Sequence, residues 1–300
     1  MELRRWQADV LLAISALLWG TTFVAVKEAV TELPAELIIA IRFLIGFLFL
    51  ALVFGPACRK NRWNCLHTGI ILGLILGVAY WYQTTGLRYT SPSASAFITG
   101  MNIVFVALID SLLAKRFPSR KVLLGVATAT AGLLILTWTS RFQARPGDLL
   151  TLFCAVLFGL HIVLTARWIK GCDPRIMTIL QFGVVSALFW LVLPATWHPV
   201  TFTGRHLVIL LLLGLFPTGI AFLFQTTAQK YTPPIHTAII LSAEPVFAAL
   251  FSLARGTDTV SFRLICGGLL IVLGTYFSAA EEPVKADAKS VPGNSNIAGV

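Results

Sequence analysis

Ten apolar runs, each near the ~20 residues a helix needs to cross a hydrocarbon core, follow one another with short polar interruptions. They lie at approximately 8–28, 35–54, 67–88, 93–114, 121–138, 148–168, 175–194, 206–229, 234–254 and 262–280, bounded by charges, prolines and glycines. Lipid cannot satisfy exposed backbone groups, and runs this long exceed a barrel strand, so each is predicted to be a helix. The first run follows Arg4 and Arg5 and lacks a small-residue cleavage site. That predicts a retained span, not a signal peptide.

Polar positions inside the runs recur. Gln83–Leu108 and Gln225–Leu250 agree at 12 of 26 positions at an offset of 142, including the Gln-Thr-Thr triplet, Tyr89-Thr90 and Pro92. Asp9, Gly20 and Phe43 echo as Asp148, Gly159 and Phe182 at an offset of 139, and Gly125 and Gly132 echo as Gly267 and Gly274 at 142. The chain therefore reads as a doubled unit, 1–140 and 146–280, followed by a polar tail at 281–300 expected to be disordered and cytoplasmic. Each unit holds five spans. Because five is odd, the second copy must enter the membrane in the opposite sense, so the predicted fold is an all-α polytopic membrane protein of two inverted five-helix repeats.

Composition agrees with a bilayer. Charged residues make up 12% of the chain, against about 25% in soluble domains. Mean hydropathy is +0.84. The net charge of +10 is dispersed in short clusters and forms no continuous basic face, which argues against a nucleic-acid partner. With a cytoplasmic N-terminus, inside segments would carry 15 Lys and Arg and outside segments 7, the bias expected when both termini face the cytoplasm of an inner (plasma) membrane protein. Cys58, Cys65, Cys154, Cys172 and Cys266 show neither paired spacing nor His partners, so no disulfide framework or metal site is expected. No phosphate-cradling GxxxxGK[ST] segment and no catalytic cluster of His, Asp or Glu is present, so neither cofactor nor enzymatic activity is expected.

Charges at mid-bilayer cost about 2.5–3.5 kcal/mol, which makes the few present the first functional candidates. Glu244 lies mid-span before Pro245, whose missing N–H frees the Leu241 carbonyl. It could bind a substrate ammonium or take up a proton, or be satisfied by a neighbouring helix. Arg42 could grip a carboxylate, pair with Glu28, Glu32 or Glu36, or snorkel. Lys27, near a span end, suits an outer-gate pair or snorkelling, and Asp110 an inner salt bridge with Lys115 or Arg116. His161 is a proton relay or a packing residue. Tyr80, Gln83 and Thr84 share one helix face, which is aimed inward, and their counterparts Phe222, Gln225 and Thr226 follow Pro217 and Gly219, where the eighth span is expected to bend. The small residues Ser93 to Ala96, Gly125, Gly132, Gly267 and Gly274 suit close helix packing.

Trp19-Gly20-Thr21-Thr22-Phe23 followed by Lys27, the Arg42-Phe43 pair, Glu244-Pro245-Val246-Phe247, and Gly267 through Gly274 resemble the EamA-like branch of the drug/metabolite transporter superfamily over residues 8–280. The resemblance implies a secondary transporter of small metabolites, often amino acids, working outward across the bacterial inner membrane. One departure stands out: Asn102-Ile103 occupies the place of Glu244-Pro245, so the fourth and ninth spans are expected to bend differently. The reading is an alternating-access carrier with a midplane cavity between the first, third, fourth, sixth, eighth and ninth spans. Trp19, Arg42, Tyr80, Gln83, Asn102, His161, Gln225 and Glu244 would contact the solute, and Glu244, Lys27 and Arg42 would couple or gate. Its partners would be a small solute and the lipid bilayer, with no nucleic acid, in a monomer or homodimer. Uptake, nucleotide-sugar or sugar-phosphate exchange, and a membrane-embedded lipid-modifying enzyme are the alternatives.

Overall fold

The structure, a computed structural model, describes residues 3–55, 65–137, 145–196, 199–254 and 262–279. The 281–300 tail, Cys58 and the Arg59, Lys60 and Arg62 cluster lie outside the described residues. Regular structure in the described residues is helical: α1 (Arg5–Gly20), α2 (Thr22–Glu32), α3 (Ala35–Phe54), α4 (Leu66–Tyr89), α5 (Pro92–Gly100), α6 (Asn102–Ala114), α7 (Arg120–Thr137), α8 (Pro146–Trp168), α9 (Pro174–Thr196), α10 (Gly204–Leu213), α11 (Ala221–Ala228), α12 (Pro234–Leu241), α13 (Glu244–Ala254) and α14 (Phe262–Ala279). Seven stretches among them are long and apolar enough to cross a membrane: Arg5–Glu32, Ala35–Phe54, Leu66–Tyr89, Ala94–Ala114, Pro146–Gly171, Pro174–Ala195 and Gly204–Ala228. Pro234–Ala248 and Ile265–Phe277 are shorter apolar segments. Leu52, Leu112, Leu191 and Val272 are exposed on the outside of the bundle, apolar surface of a kind that water-soluble folds bury and lipid accepts. The chain is a multi-pass membrane protein.

Three of the predicted runs are broken at mid-length. The first breaks after Gly20, where the Thr21 and Thr22 hydroxyls donate back to the Leu18 and Trp19 carbonyls at 2.8 and 2.9 Å and compete with the helix ladder. The ninth breaks between Leu241 and Glu244, as Pro245 requires. The fourth breaks as well, at Met101 between α5 and α6, although no proline is present. The fourth run thus breaks at the place matching the ninth: Met101 stands where Ala243 stands in the second half, and Gly100, a poor helix former, ends α5. Asn102 and Glu244 become the first residues of α6 and α13.

The eighth run does not simply bend. A π-helical turn, Gly214–Ile220, joins α10 to α11 and contains Pro217. Contacts on either side show what it accommodates. A Cβ at Gly73 would lie 3.0 Å from the Gln181 carbonyl, and one at Gly214 would lie 3.0 Å from that of Arg42. Gln181 and Arg42 are repeat counterparts, so Gly214 matches Gly73 at an offset of 141, whereas beyond the turn Phe222 matches Tyr80 at 142. One extra residue has entered the second half, and the π turn absorbs it without shifting either flanking helix.

The halves meet through equivalent contacts. Phe43 and its counterpart Phe182 pack edge-to-face at 5.3 Å. A Cβ at Gly132 would fall 2.7 Å from the Gly267 carbonyl, and one at Gly274 would fall 2.7 Å from that of Gly125, so α7 and α14 touch backbone to backbone. Gly20 abuts Glu244 and Ala248, as Gly159 abuts Phe105 and Val106. One expectation fails: Cys65, just before α4, is disulfide-bonded to Cys172, just before α9, with their Cα atoms 5.6 Å apart. A sequence separation of 107 hides the pair from any spacing rule. Beside it, Arg175 binds Asp173 and holds that carboxyl below its ordinary range.

Candidate functional site

The broken helices converge on an internal cavity of about 40 Å³, lined by Trp19, Thr22, Tyr80, Gln83, Thr99, Asn102, Phe158, His161, Ile162, Phe222, Gln225, Leu241 and Glu244. These residues come from the first, third, fourth, sixth, eighth and ninth predicted runs. Twelve of them form six repeat-related pairs: Trp19 with Phe158 and Thr22 with His161 at an offset of 139, then Tyr80 with Phe222, Gln83 with Gln225, Thr99 with Leu241 and Asn102 with Glu244 at 142. Ile162 alone has no partner in the wall. The cavity is therefore built twice from the same positions, and it differs between its sides only in side-chain chemistry.

The first-half members are neutral and polar or aromatic, while the acid and the imidazole come from the second half. Glu244 starts α13, where unpaired N–H groups favour a negative charge. Among the described residues, no side chain donates to its carboxylate or pairs with it. Gln225 is buried with Oε1 unpartnered, and Asn102 Oδ1 also has no partner. His161 Nε2 meets Gln181 Oε1 at 2.7 Å, and because that oxygen only accepts, Nε2 carries the proton and Nδ1 of the neutral ring is an acceptor. Gln83 Nε2 donates to Thr99 Oγ1 at 3.3 Å. Trp19 is fixed by donation from Nε1 to the Pro217 carbonyl at 2.7 Å, within the π turn.

Two candidates lie elsewhere. Arg42 is buried but forms no part of the cavity wall. Its Nε donates to Thr218 Oγ1 at 2.9 Å, again in the π turn, and its guanidinium lies 4.8 Å from the Tyr80 ring centre. None of the proposed acidic partners reaches it: Glu28 pairs with Arg205, Glu32 with His206, and Glu36 accepts from Trp81 Nε1. Lys27 Nζ caps the C-terminal end of α4, donating to the Leu87, Arg88 and Thr90 carbonyls at 2.5, 3.1 and 2.9 Å. Asp110 pairs with Arg167 at 3.1 Å, not with Lys115 or Arg116.

Sequence reasoning had not singled out Thr22, Phe158, Thr99, Leu241 or Ile162. The repeat offset would have found Phe158 from Trp19 and Thr22 from His161. Pro245 marks Leu241 only through its backbone carbonyl, and nothing local marks Thr99 or Ile162.

Equivalent acids also make hydrogen bonds towards the two ends of the bundle. Asp148 accepts from the Thr90 hydroxyl, and Asp9, its counterpart, binds His236 at 3.0 Å. Thr232, the counterpart of Thr90, bonds instead to Thr237 at 3.0 Å. The end bearing Asp9 opens into a cleft of about 690 Å³ lined by Arg116, Arg167, Lys170, Lys230 and His236. His236 and Leu241 are five residues apart on α12, so cleft and cavity are separated by about 7.5 Å of helix.

A profile of the EamA-like transporter family matches residues 6–138 and 145–280. An uncharacterized transporter of Archaeoglobus fulgidus is 34% identical over 273 residues, covering 90% of this chain and 85% of its own length. The uncharacterized transporter YyaM of Bacillus subtilis is 25% identical over 271 residues, covering 85% of this chain and 88% of its own. A solved crystal structure superposes with a TM-score of 0.77 over 92% of this chain and 97% of that one at 21% identity, a likeness of fold.

Proposed function

The chain belongs to the EamA-like transporter family, and we propose that it works as a secondary carrier moving a small polar or amphipathic metabolite by alternating access. The observation that carries this reading is the cavity walled by six repeat-related pairs. A site on the axis relating two inverted five-helix repeats, in ten spans, can be closed from either side by the same motion. The reciprocal glycine contacts between α7 and α14 support that arrangement.

In this reading the solute displaces the water that a 40 Å³ space can hold, and the walls part to admit it. Trp19, Tyr80, Phe158 and Phe222 supply aromatic walls; Gln83, Asn102, His161 and Gln225 orient polar groups. Glu244 carries the coupling, alternating between a proton and a cationic group of the solute. Arg42 and Lys27 act without touching the solute, the first by backing Tyr80 and the second by pinning α2 to the end of α4. The positive-inside bias supports cytoplasmic termini in an inner membrane, and with that orientation the cleft by Asp9 is a cytoplasmic vestibule, on the side from which an exporter loads.

Counterflow into proteoliposomes, with a panel of amino acids, amines and sugars, tests the proposal. Saturable uptake of at least one solute above protein-free vesicles is expected, with loss of pH dependence in Glu244→Gln. No flux of any panel member with correctly folded protein would remove the carrier reading.

A further inference from the structure

The cavity is unusually rich in acceptors. The Glu244 carboxylate has no partner among the described residues, and the Gln225 Oε1 and Asn102 Oδ1 atoms are buried without donors. A buried acceptor left unpaired costs free energy, so such a set stands ready for a ligand that brings donors. Among the described residues of the wall there is no Lys or Arg. The guanidinium of Arg42, beside the wall residue Tyr80, is taken by Thr218 and by the Tyr80 ring. A carboxylate placed in the cavity would face Glu244 with amide N–H groups as donors but no compensating cation. An ammonium would meet one charge and several acceptors, against the aromatic faces that favour cations.

We infer, resting on the carrier reading above, that the transported solute carries an ammonium group and no carboxylate: an organic amine with a compact apolar or aromatic body, its N–H donors on Glu244, Gln225 and Asn102. Trp19, Phe158 and Phe222 enclose the body. Specificity against zwitterionic amino acids comes from the missing cation in the wall, since their carboxylate would be desolvated unpaired.

The test is calorimetric titration of the full-length protein in lipid nanodiscs with three probes that share one body: 2-phenylethylamine, phenylalanine and 2-phenylethanol. The amine is expected to bind at least tenfold more tightly than the other two. Glu244→Gln should weaken the amine at least tenfold while leaving the alcohol within twofold, and Glu244→Asp, which keeps the carboxylate, should retain most amine affinity. The alcohol also reports whether each variant keeps an intact cavity. Phenylalanine binding as tightly as the amine, equal affinity for all three probes, no detectable amine binding, or amine affinity unchanged in Glu244→Gln would each overturn the inference. The carrier reading fails separately: counterflow of phenylalanine or a sugar without the amine would sink only the amine assignment, whereas absence of counterflow for every solute would sink the carrier itself.

Discussion

Arg42 shows how a residue can be buried and charged yet serve a site it does not enter. Its guanidinium is held by one hydroxyl of the π turn and by the Tyr80 ring, and Tyr80 in turn lines the cavity. Arg42→Lys would keep the charge and lose the planar stack and the Nε geometry. A loss of about 1–3 kcal/mol in stability is expected, read as a lower melting midpoint in detergent. Weaker solute binding should accompany it, without a change in which probe is preferred. A switch in preference would mean that Arg42 touches solute after all. Trp19 illustrates the same dependence: the carbonyl that fixes its indole, that of Pro217, belongs to a turn nearly 200 positions away. The sequence marked Arg42 through the cost of a buried charge and Trp19 through a motif of the family it resembles, but their partners follow from which helices adjoin.

At the scale of elements, glycine backbones set the spacing of α7 and α14. Gly274→Val would drive side-chain atoms into the Gly125 carbonyl, already 2.7 Å from the position of a first Cβ. Overpacking of this kind costs about 1–3 kcal/mol, so reduced thermal stability and yield are expected. Gly204→Ala is the matched control, because nothing lies within 4 Å of its added Cβ. If both variants melted together with wild type, the close approach of α7 and α14 would not exist. The helix breaks carry a different lesson. Pro245 announced one of them, yet Met101, with no proline nearby, breaks its helix at the matching place. The common backbone path follows from the matching position of the fourth and ninth runs against Gly159 and Gly20, each of which admits the helix that begins after the break.

At the scale of the whole molecule, Asp148 with Thr90 and Asp9 with His236 are repeat-related pairs at opposite ends, which the carrier proposal makes into latches. One uses a hydroxyl and the other an imidazole, so in that proposal the two latches differ in strength. Asp148→Asn and Asp9→Asn are expected to shift the carrier in opposite senses. A reporter at Thr99→Cys, in an otherwise cysteine-free background, would read this as labelling by a membrane-impermeant thiol reagent from the two sides of sealed vesicles. With both termini cytoplasmic, as proposed, Asp148→Asn should raise labelling from the outer side, and Asp9→Asn from the cytoplasmic side. Changes in the same sense would contradict the latch assignment.

The sequence alone determined that this chain is helical, multi-pass and doubled, because lipid leaves the backbone no other solution and because repeat offsets survive in unaligned residues. It also determined most of the polar residues at the centre, since uncompensated polarity in an apolar run is costly enough to stand out. Only the tertiary structure decided that Arg42 backs the cavity wall, that Cys65 meets Cys172, and that Thr99, Leu241 and Ile162 join the wall. Those outcomes depend on helix rotation and on a single residue inserted at the π turn. Neither leaves a periodic mark on the chain, because in an apolar helix packed against both lipid and protein, the face turned inward is chosen by neighbouring helices and not by hydrophobicity.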